Sequence, residues 1–487
     1  MTNSALGAHW IGTMDSLLLV LLITLSAIAL VTAAATFAFF TLASALPRLR
    51  KGVVAFFHPF ADGGGGGERV LWCAVKAVQD ASPTSQVAIY VREGVTAEQL
   101  VADAMSRFNI RIEKPIQVIP LRRTHLVQPE RYPRFTLLRQ ALGSVGLGLE
   151  ALRQLVPEVY IDTTGWAFPY PFAWWAGSRV VAYVHYPTIS SDMLGRVWSG
   201  TATYNNDADI AESPVKTAVK LLYYHAVALW YGMCGCVTAV TCVNSSWTRD
   251  HIQRMWFTRR PPLLVYPPVD TSELLQLPLD RKLKQLYLVS VNQFRPEKNH
   301  RLQLEAFALA KRGAGPTLQG QAVREAKLKF IGGCRHADDR ARLEALQRYA
   351  QELGLEGCVE WIVNAPFSEL KLLLGGAVGG LHTMTDEHFG ISVVEYMAAG
   401  VVPIAHNSAG PRQDIVRPVL DDEGCEQVTG FLATTAEEFA EAITRVLTMD
   451  QRERLKIAAA AQRQATRFST ERFLQDFNAA VAPVMPR

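Results

Sequence analysis

The chain opens on one long apolar block and then changes to short apolar runs separated by stretches of helical spacing. Residues 17–46 carry no charge over 30 positions, more than the about 20 apolar residues a helix needs to cross a bilayer. Ala43-Ser44-Ala45 resembles a signal-peptide cleavage site, but cleaved signals pair a shorter apolar region with a basic start, and residues 1–16 contain no Lys or Arg. The pattern therefore predicts an uncleaved transmembrane helix at 17–46 with residues 1–16 luminal. Asp15 precedes the block, whereas Arg48, Arg50 and Lys51 follow it, so the long C-terminal part is expected on the cytosolic side.

Beyond the block, "KGVVAFFHPF" (51–60) reads as a buried strand. "ERVLWCAVKAVQD" (68–80) reads as an amphipathic helix, with Val70, Leu71, Ala74, Val75 and Val78 on one face. Strand signals follow in "SQVAIYV", "IQVIPL", "VYIDTT", "RVVAYVHYP", "VTAVTCVNSS" and "PLLVYPPVD". A second series opens at "QLYLVSVNQF" and runs through "KLKFIGG", "CVEWIV", "GGLHTM" and "VVPIAHN". Alternation of such runs with helices predicts parallel α/β sheets. A short polar lull near 271–285 separates the series. The expected organisation is an N-terminal Rossmann-like domain at 47–275 and a C-terminal one at 276–487, the last helix packing back on the first domain. Residues 221–240, "LLYYHAVALWYGMCGCVTAV", admit two readings: a segment dipping into the membrane, or a buried helix running into a buried strand. Gly232 and Gly235 favour the second, and Ser245 or Ser246 would then cap the next helix.

Composition narrows the class. A chain of 487 residues is too long for one core. Its 49 basic and 45 acidic residues leave a net charge of +4, too balanced for a dedicated nucleic-acid binder. Hydrophobic residues reach 49%, in keeping with membrane contact. The seven cysteines contain no CxxC pair and no zinc pattern, so reduced thiols are expected.

Candidate chemistry lies in three stretches. "FFHPFADGGGGGERVLW" (56–72) places Gly63, Gly64, Gly65, Gly66 and Gly67 between a strand and a helix. That is where α/β sheets bind ligands, although neither the Walker nor the dinucleotide pattern is satisfied. The run reads equally as a hinge or as a loop beside the acceptor or a diphosphate. "TDEHFGISVVEYMAAG" (385–400) places Glu387 in a loop and Glu395 in the first turns of a helix. Between them the backbone near Phe389, Gly390, Ile391 and Ser392 is suited to a phosphate. Two carboxylates at such spacing can hold the hydroxyls at the two ends of a nucleotide sugar. "NQFRPEKNH" (292–300) ends a strand with Arg295 and Lys298, cations able to stabilise a departing diphosphate.

The Glu-x7-Glu element, "PEK", "YPPVD" (266–270) and "SAGPRQDIV" (408–416) resemble family 4 of the glycosyltransferases, which have the GT-B fold. "VHYPTISSDML" (184–194), the glycine stretch and "FRPEKNH" are most similar to its endoplasmic-reticulum α-1,2-mannosyltransferases of asparagine-linked glycosylation. The resemblance covers the whole predicted cytosolic part. It implies two Rossmann-like domains facing a cleft, GDP-mannose as donor, and a dolichol-diphosphate-linked oligosaccharide as acceptor. It further implies retention by front-face attack, no metal, no cofactor, and addition of the fourth and fifth mannoses to a trimannosyl core. Its implied partners are the membrane and other mannosyltransferases of the same pathway. Carried over by motif, Glu387 contacts the mannose, Glu395 the ribose, and His185 lies beside the reacting sugar. Gln293 stands where many members have Arg, and Arg295 is expected to supply that charge.

Rival readings are a transferase with another nucleotide-sugar donor and a non-catalytic glycolipid-binding homologue. Residues 121–140 mix arginines with apolar residues, and Arg122 and Arg123 are candidates for lipid or acceptor-diphosphate contact. Asn244-Ser245-Ser246 is a glycosylation sequon that a cytosolic position would leave bare.

Overall fold

The computed structural model of the protein describes residues 26, 29–30, 32–189, 193, 214–281, 285–334 and 337–486. Residues 1–16 and positions 17–25, 27–28 and 31 of the expected anchor lie outside these, as do 190–192 and 194 of the histidine motif. The described end of the anchor, 32–44, is helical (α1). Among the described residues no helix is long and apolar enough to cross a membrane.

The first domain carries β1 (Arg50–Phe57), α2 (Gly66–Ala81), β2 (Gln86–Arg92), α3 (Ala97–Phe108), β3 (Ile116–Leu121), α4 (Thr136–Gln154), β4 (Pro157–Asp162) and α5 (Tyr170–Trp175). It continues through β5 (Arg179–Val184), α6 (Pro214–Gly235), β6 (Val240–Val243), α7 (Ser246–Met255) and β7 (Leu263–Leu264). Its strands form one parallel sheet in the order β3-β2-β1-β4-β5-β6-β7. Helices cover both faces, so strand interiors are buried on both sides; β2, QVAIYVR, is buried at all five central positions.

The second domain opens with β8 (Tyr287–Val291), α8 (His300–Arg312), α9 (Leu318–Glu325), β9 (Lys327–Gly332), α10 (Ala337–Glu352), β10 (Val359–Val363), α11 (Phe367–Gly376) and β11 (Gly379–His382). After these come α12 (Ile391–Ala398), β12 (Val402–His406), a small hairpin of β13 (Val419–Leu420) and β14 (Glu426–Gln427), β15 (Phe431–Ala433), α13 (Ala436–Thr448), α14 (Gln451–Ala465) and α15 (Thr470–Val481). Its parallel sheet has the order β10-β9-β8-β11-β12-β15. In each sheet the strand order reverses beside the first strand, β1 or β8, which creates the crevice where doubly wound sheets bind ligands.

Two chain crossings join the domains and pair with each other, since Val269 N–H donates to the Phe468 carbonyl at 2.9 Å. Val269 and Leu274 already belong to the second core. After the second crossing, α15 returns to the first domain, where Phe473 and Phe477 join the core containing Trp72 of α2. Asp414, 3% exposed, clasps the junction. Its carboxylate accepts from Ser246 N–H (2.9 Å), Ser246 Oγ (2.6 Å) and Tyr266 Oη (2.9 Å). Hydrogen bonds to a charged group contribute about 1.5–3 kcal/mol each, so the relative placement of the domains is firmly held.

The segment 221–240 differs from the buried helix expected of it. Its helical part, α6, buries Tyr224, Val227, Tyr231 and Cys234 but exposes Leu222, Leu229 and Met233. Both faces are apolar, so periodicity could not say which one packs. Gly232 and Gly235 are packing residues: a Cβ would lie 2.3 Å from the Met255 carbonyl and 2.2 Å from the Trp256 ring. Ser245 is the N-cap of α7, accepting from Thr248 N–H at 3.1 Å.

Candidate active site

Between the two crevices lies a cavity of about 710 Å³, within the range of small-molecule sites. From the first domain it is lined by Gly64, Gly65, Gly66, Gly67, His185 and Asn244. From the second come Asn292, Gln293, Lys298, Gly332, Asn364, Glu387, His388, Phe389, Gly390, Ile391, Ser392 and Glu395. A roomier cavity beside α11 is lined by Leu277, Tyr287, Phe367 and Leu372 and gathers no comparable set of buried ionisable groups.

The second-domain wall is built around Glu387. Lys298 Nζ lies 2.5 Å and His382 Nε2 3.1 Å from Glu387 Oε2. Burial alone would raise the Glu387 carboxyl. The His382 hydrogen bond and the Lys298 charge outweigh burial and hold it well below the usual range. Since Glu387 is ionised, His382 donates through Nε2, and its Nδ1 lies 3.4 Å from Ser392 Oγ. The site thus fixes a carboxylate with one oxygen engaged and a lysine aimed at the same point. Gly390, at φ 113°, is the N-cap of α12; Ile391 and Ser392, whose amides have no acceptor within the helix, line the cavity. Glu395, one turn in, has no side-chain hydrogen bond among the described residues. Burial pushes it up to about 7, with Arg69 lowering it and Asp270 raising it. A carboxyl so placed awaits hydroxyl donors.

The first-domain wall presents His185 at the end of β5 and Asn244 at the end of β6, whose preceding residues Val184 and Val243 are register partners. Burial and the neighbouring His58 depress His185 to about 4, and it hydrogen-bonds to the backbone of Thr163. It is neutral at physiological pH, and its buried Nε2 has no partner among the described residues. With Nδ1 serving Thr163, Nε2 is a free acceptor. Asn244 Oδ1 is likewise buried without a partner among the described residues. His388 bridges the walls, its ring 4.1 Å from Tyr186 and 5.4 Å from Trp247.

Several expected residues fall elsewhere. Arg295 is exposed and does not line the cavity. It is the extended residue before the 3-10 turn Pro296–Lys298, and the turn brings Lys298 inward instead. Gln293 lines the cavity uncharged, and Arg295, expected to supply the missing charge, lies off its lining. Gly63 sits beneath the loop rather than on the cavity. Arg122 gives Nε–H to Glu93 at 2.9 Å, and the backbones of Arg122 and Arg123 are held by Glu150, at the far edge strand of the sheet. Asn244 is 5% exposed; the fold closes this sequon on either side of a membrane, so a bare Asn244 carries no information about topology. His382, absent from the sequence-predicted site, is the last residue of β11 and carries the same strand-end cue as Lys298.

Two parallel α/β domains closing on this cleft define a glycosyltransferase of GT-B type. Solved structures agree on the fold: α,α-trehalose 6-phosphate synthase from Burkholderia multivorans (TM-score 0.62, 13% identity, 89% of this chain and 99% of that one) and sucrose-phosphate synthase from Thermosynechococcus elongatus (TM-score 0.60, 16%, 89% and 99%). Residues 51–256 match the family described as ALG11 mannosyltransferase N-terminus, and residues 275–464 match glycosyl transferases group 1. The chain is 46% identical over 437 residues to the Homo sapiens protein named GDP-Man:Man(3)GlcNAc(2)-PP-Dol alpha-1,2-mannosyltransferase, covering 88% of this chain and 86% of that protein. It is 40% identical over 441 residues to the namesake from Dictyostelium discoideum, covering 89% and 85%. The chain belongs to this mannosyltransferase family.

Proposed function

We propose that the protein transfers mannose from GDP-mannose, in α-1,2 linkage and with retention, to dolichol-diphosphate-linked Man3GlcNAc2, twice in succession. The observation that carries this reading is the match to relatives of that name along both domains. The site chemistry supports it. Glu387 accepts from mannose hydroxyls, Glu395 from ribose hydroxyls, and His185 Nε2 from a hydroxyl of the reacting sugar. Lys298 and the first amides of α12 take the charge that grows on the departing diphosphate, which then helps to remove the acceptor proton on the same face. These charges come from the chain itself, so transfer is expected to continue in excess chelator.

The test is product analysis with GDP-mannose and the trimannosyl lipid. The expected result is growth by two hexoses, both removed by an α-1,2-mannosidase, with UDP-glucose and UDP-N-acetylglucosamine giving none. Growth from a UDP-sugar, or from no donor in the panel, overturns the assignment.

The same reading places the protein on the cytosolic face of the endoplasmic-reticulum membrane, where partner mannosyltransferases of the pathway would work. Supporting it, α1 packs on α5 through Phe39–Phe172 (4.7 Å) and Phe40–Trp175 (4.9 Å), and α6 joins them through Phe168–Trp230 (4.5 Å). These elements leave Phe37, Trp174, Trp175 and Leu222 exposed. Nearby, Phe135 contacts Tyr223 of α6 (5.6 Å) between exposed Arg134 and Arg139. Apolar side chains rimmed by basic ones suit an anionic bilayer surface. Each such side chain adds about 1.5–3 kcal/mol when buried. Phe37→Asp with Leu222→Asp is therefore expected to weaken vesicle flotation about a hundredfold while leaving GDP binding intact. Unchanged flotation would sink the assignment of this face.

A further inference from the structure

The glycine loop holds an internal anion. Glu68, in the first turn of α2, folds back so that its Oε2 accepts from Gly65 N–H at 2.6 Å. Its Oε1 lies 3.4 Å from His58 Nε2, and His58 Nδ1 lies 2.7 Å from Thr163 Oγ1. Thr163 in turn is the residue whose backbone holds His185. One chain of contacts therefore runs from the glycine loop through Glu68, His58 and Thr163 to the histidine on the cavity wall.

The carboxylate also explains two of the five glycines. A Cβ at Gly63 would come 2.8 Å from the Glu68 carboxyl carbon, and one at Gly65 would come 2.9 Å from Oε2. These positions are vacant of side chain because Glu68 occupies the space. Burial would raise the Glu68 carboxyl, but the His58 hydrogen bond and the Gly65 amide outweigh it and keep it below the usual range. A helix start with free amides attracts anions. Here the chain fills that place itself, and a second anion would meet a fixed like charge. Gly65 N–H is thereby engaged, while Gly64, Gly66 and Gly67 remain on the cavity wall.

We propose that Glu68 is the positioning residue of the active site: its carboxylate fills the anion site at the start of α2 and sets both the glycine loop and His185. The proposal rests on the transferase reading of the same cleft. Glu68→Ala is expected to lower kcat for mannosyl transfer about thirtyfold, with less than a threefold change in KM for GDP-mannose. Removal of the side chain opens an amide-lined anion site, so millimolar formate should restore at least a third of the lost rate and should raise the thermal midpoint of the variant. Formate should do neither for the unsubstituted protein. Glu68→Gln, which keeps an acceptor for Gly65 N–H, should retain most of the rate. A folded Glu68→Ala that is fully active, or one that formate leaves unrescued, overturns the proposal. Should the unsubstituted protein itself show no transfer, the transferase reading fails, and formate-dependent stabilisation of Glu68→Ala still decides whether the anion site exists.

Discussion

Lys298→Ala is expected to lower mannosyl transfer by about a hundredfold to a thousandfold, the usual consequence of removing one charge-stabilising contact from a transition state. The loss should fall on kcat more than on KM for GDP-mannose, because in the proposed arrangement the charge that Lys298 faces grows only as the glycosidic bond breaks. Lys298 has a second task, since its Nζ sits 2.5 Å from the buried Glu387 carboxylate. Without it Glu387 keeps, among the described residues, only His382, and an under-satisfied buried charge costs about 1–3 kcal/mol of stability or more. Thermal unfolding must therefore accompany the kinetics. Glu387→Ala should be equally inactive, with orientation of the mannose lost as well. The double variant should be little worse than either single one, because groups that act as a unit are not additive. Near-normal rates in both folded single variants would show that the cluster is not the active site.

Much of this cluster was legible because the strand-end cue is strong. Parallel strands buried on both faces read as unbroken apolar runs, so "SQVAIYV" and "GGLHTM" announced β2 and β11, and the residues just beyond a strand are where such sheets do chemistry. What failed was finer than an element. Arg295 and Lys298 stand three residues apart in one turn, and only the extended backbone at Arg295 followed by the 3-10 turn decides which of them reaches the cavity. "PLLVYPPVD" contributes just two residues to the sheet, Leu263–Leu264; the prolines around it lack the N–H that a ladder needs. Residues β13 to β15 are too short to carry a period. In sequence Asn244 shows only its sequon, and nothing in its neighbours tells a surface asparagine from one facing a cleft. The glycines raised the same difficulty, since flexibility and close approach leave one sequence signature.

Gly66→Val separates those meanings and should suppress transfer about a hundredfold in a folded protein. Gly66 is the first residue of α2, and a Cβ there would come 2.7 Å from Ile391 Cδ1, the first residue of α12 on the opposite wall. A hinge would tolerate the change, because Gly66 is already helical and a side chain would only stiffen it. A close approach between domains would not. The contact is with the flexible end of one isoleucine, so Gly66→Ala can be absorbed by rotating Ile391 and should keep most of the activity. Valine adds two methyl groups at a branched carbon, which that rotation cannot clear. The walls must then part, or α12 must shift, and a displacement of about 1 Å is enough to cost roughly a hundredfold in rate. Because α12 carries Glu395 and, in the proposed arrangement, offers its first amides to the diphosphate, KM for GDP-mannose should rise together with the fall in kcat. That joint change distinguishes Gly66→Val from Lys298→Ala, whose loss is concentrated in kcat. Full activity of Gly66→Val would mean that the cleft is open in the working enzyme and that the run serves as a hinge after all.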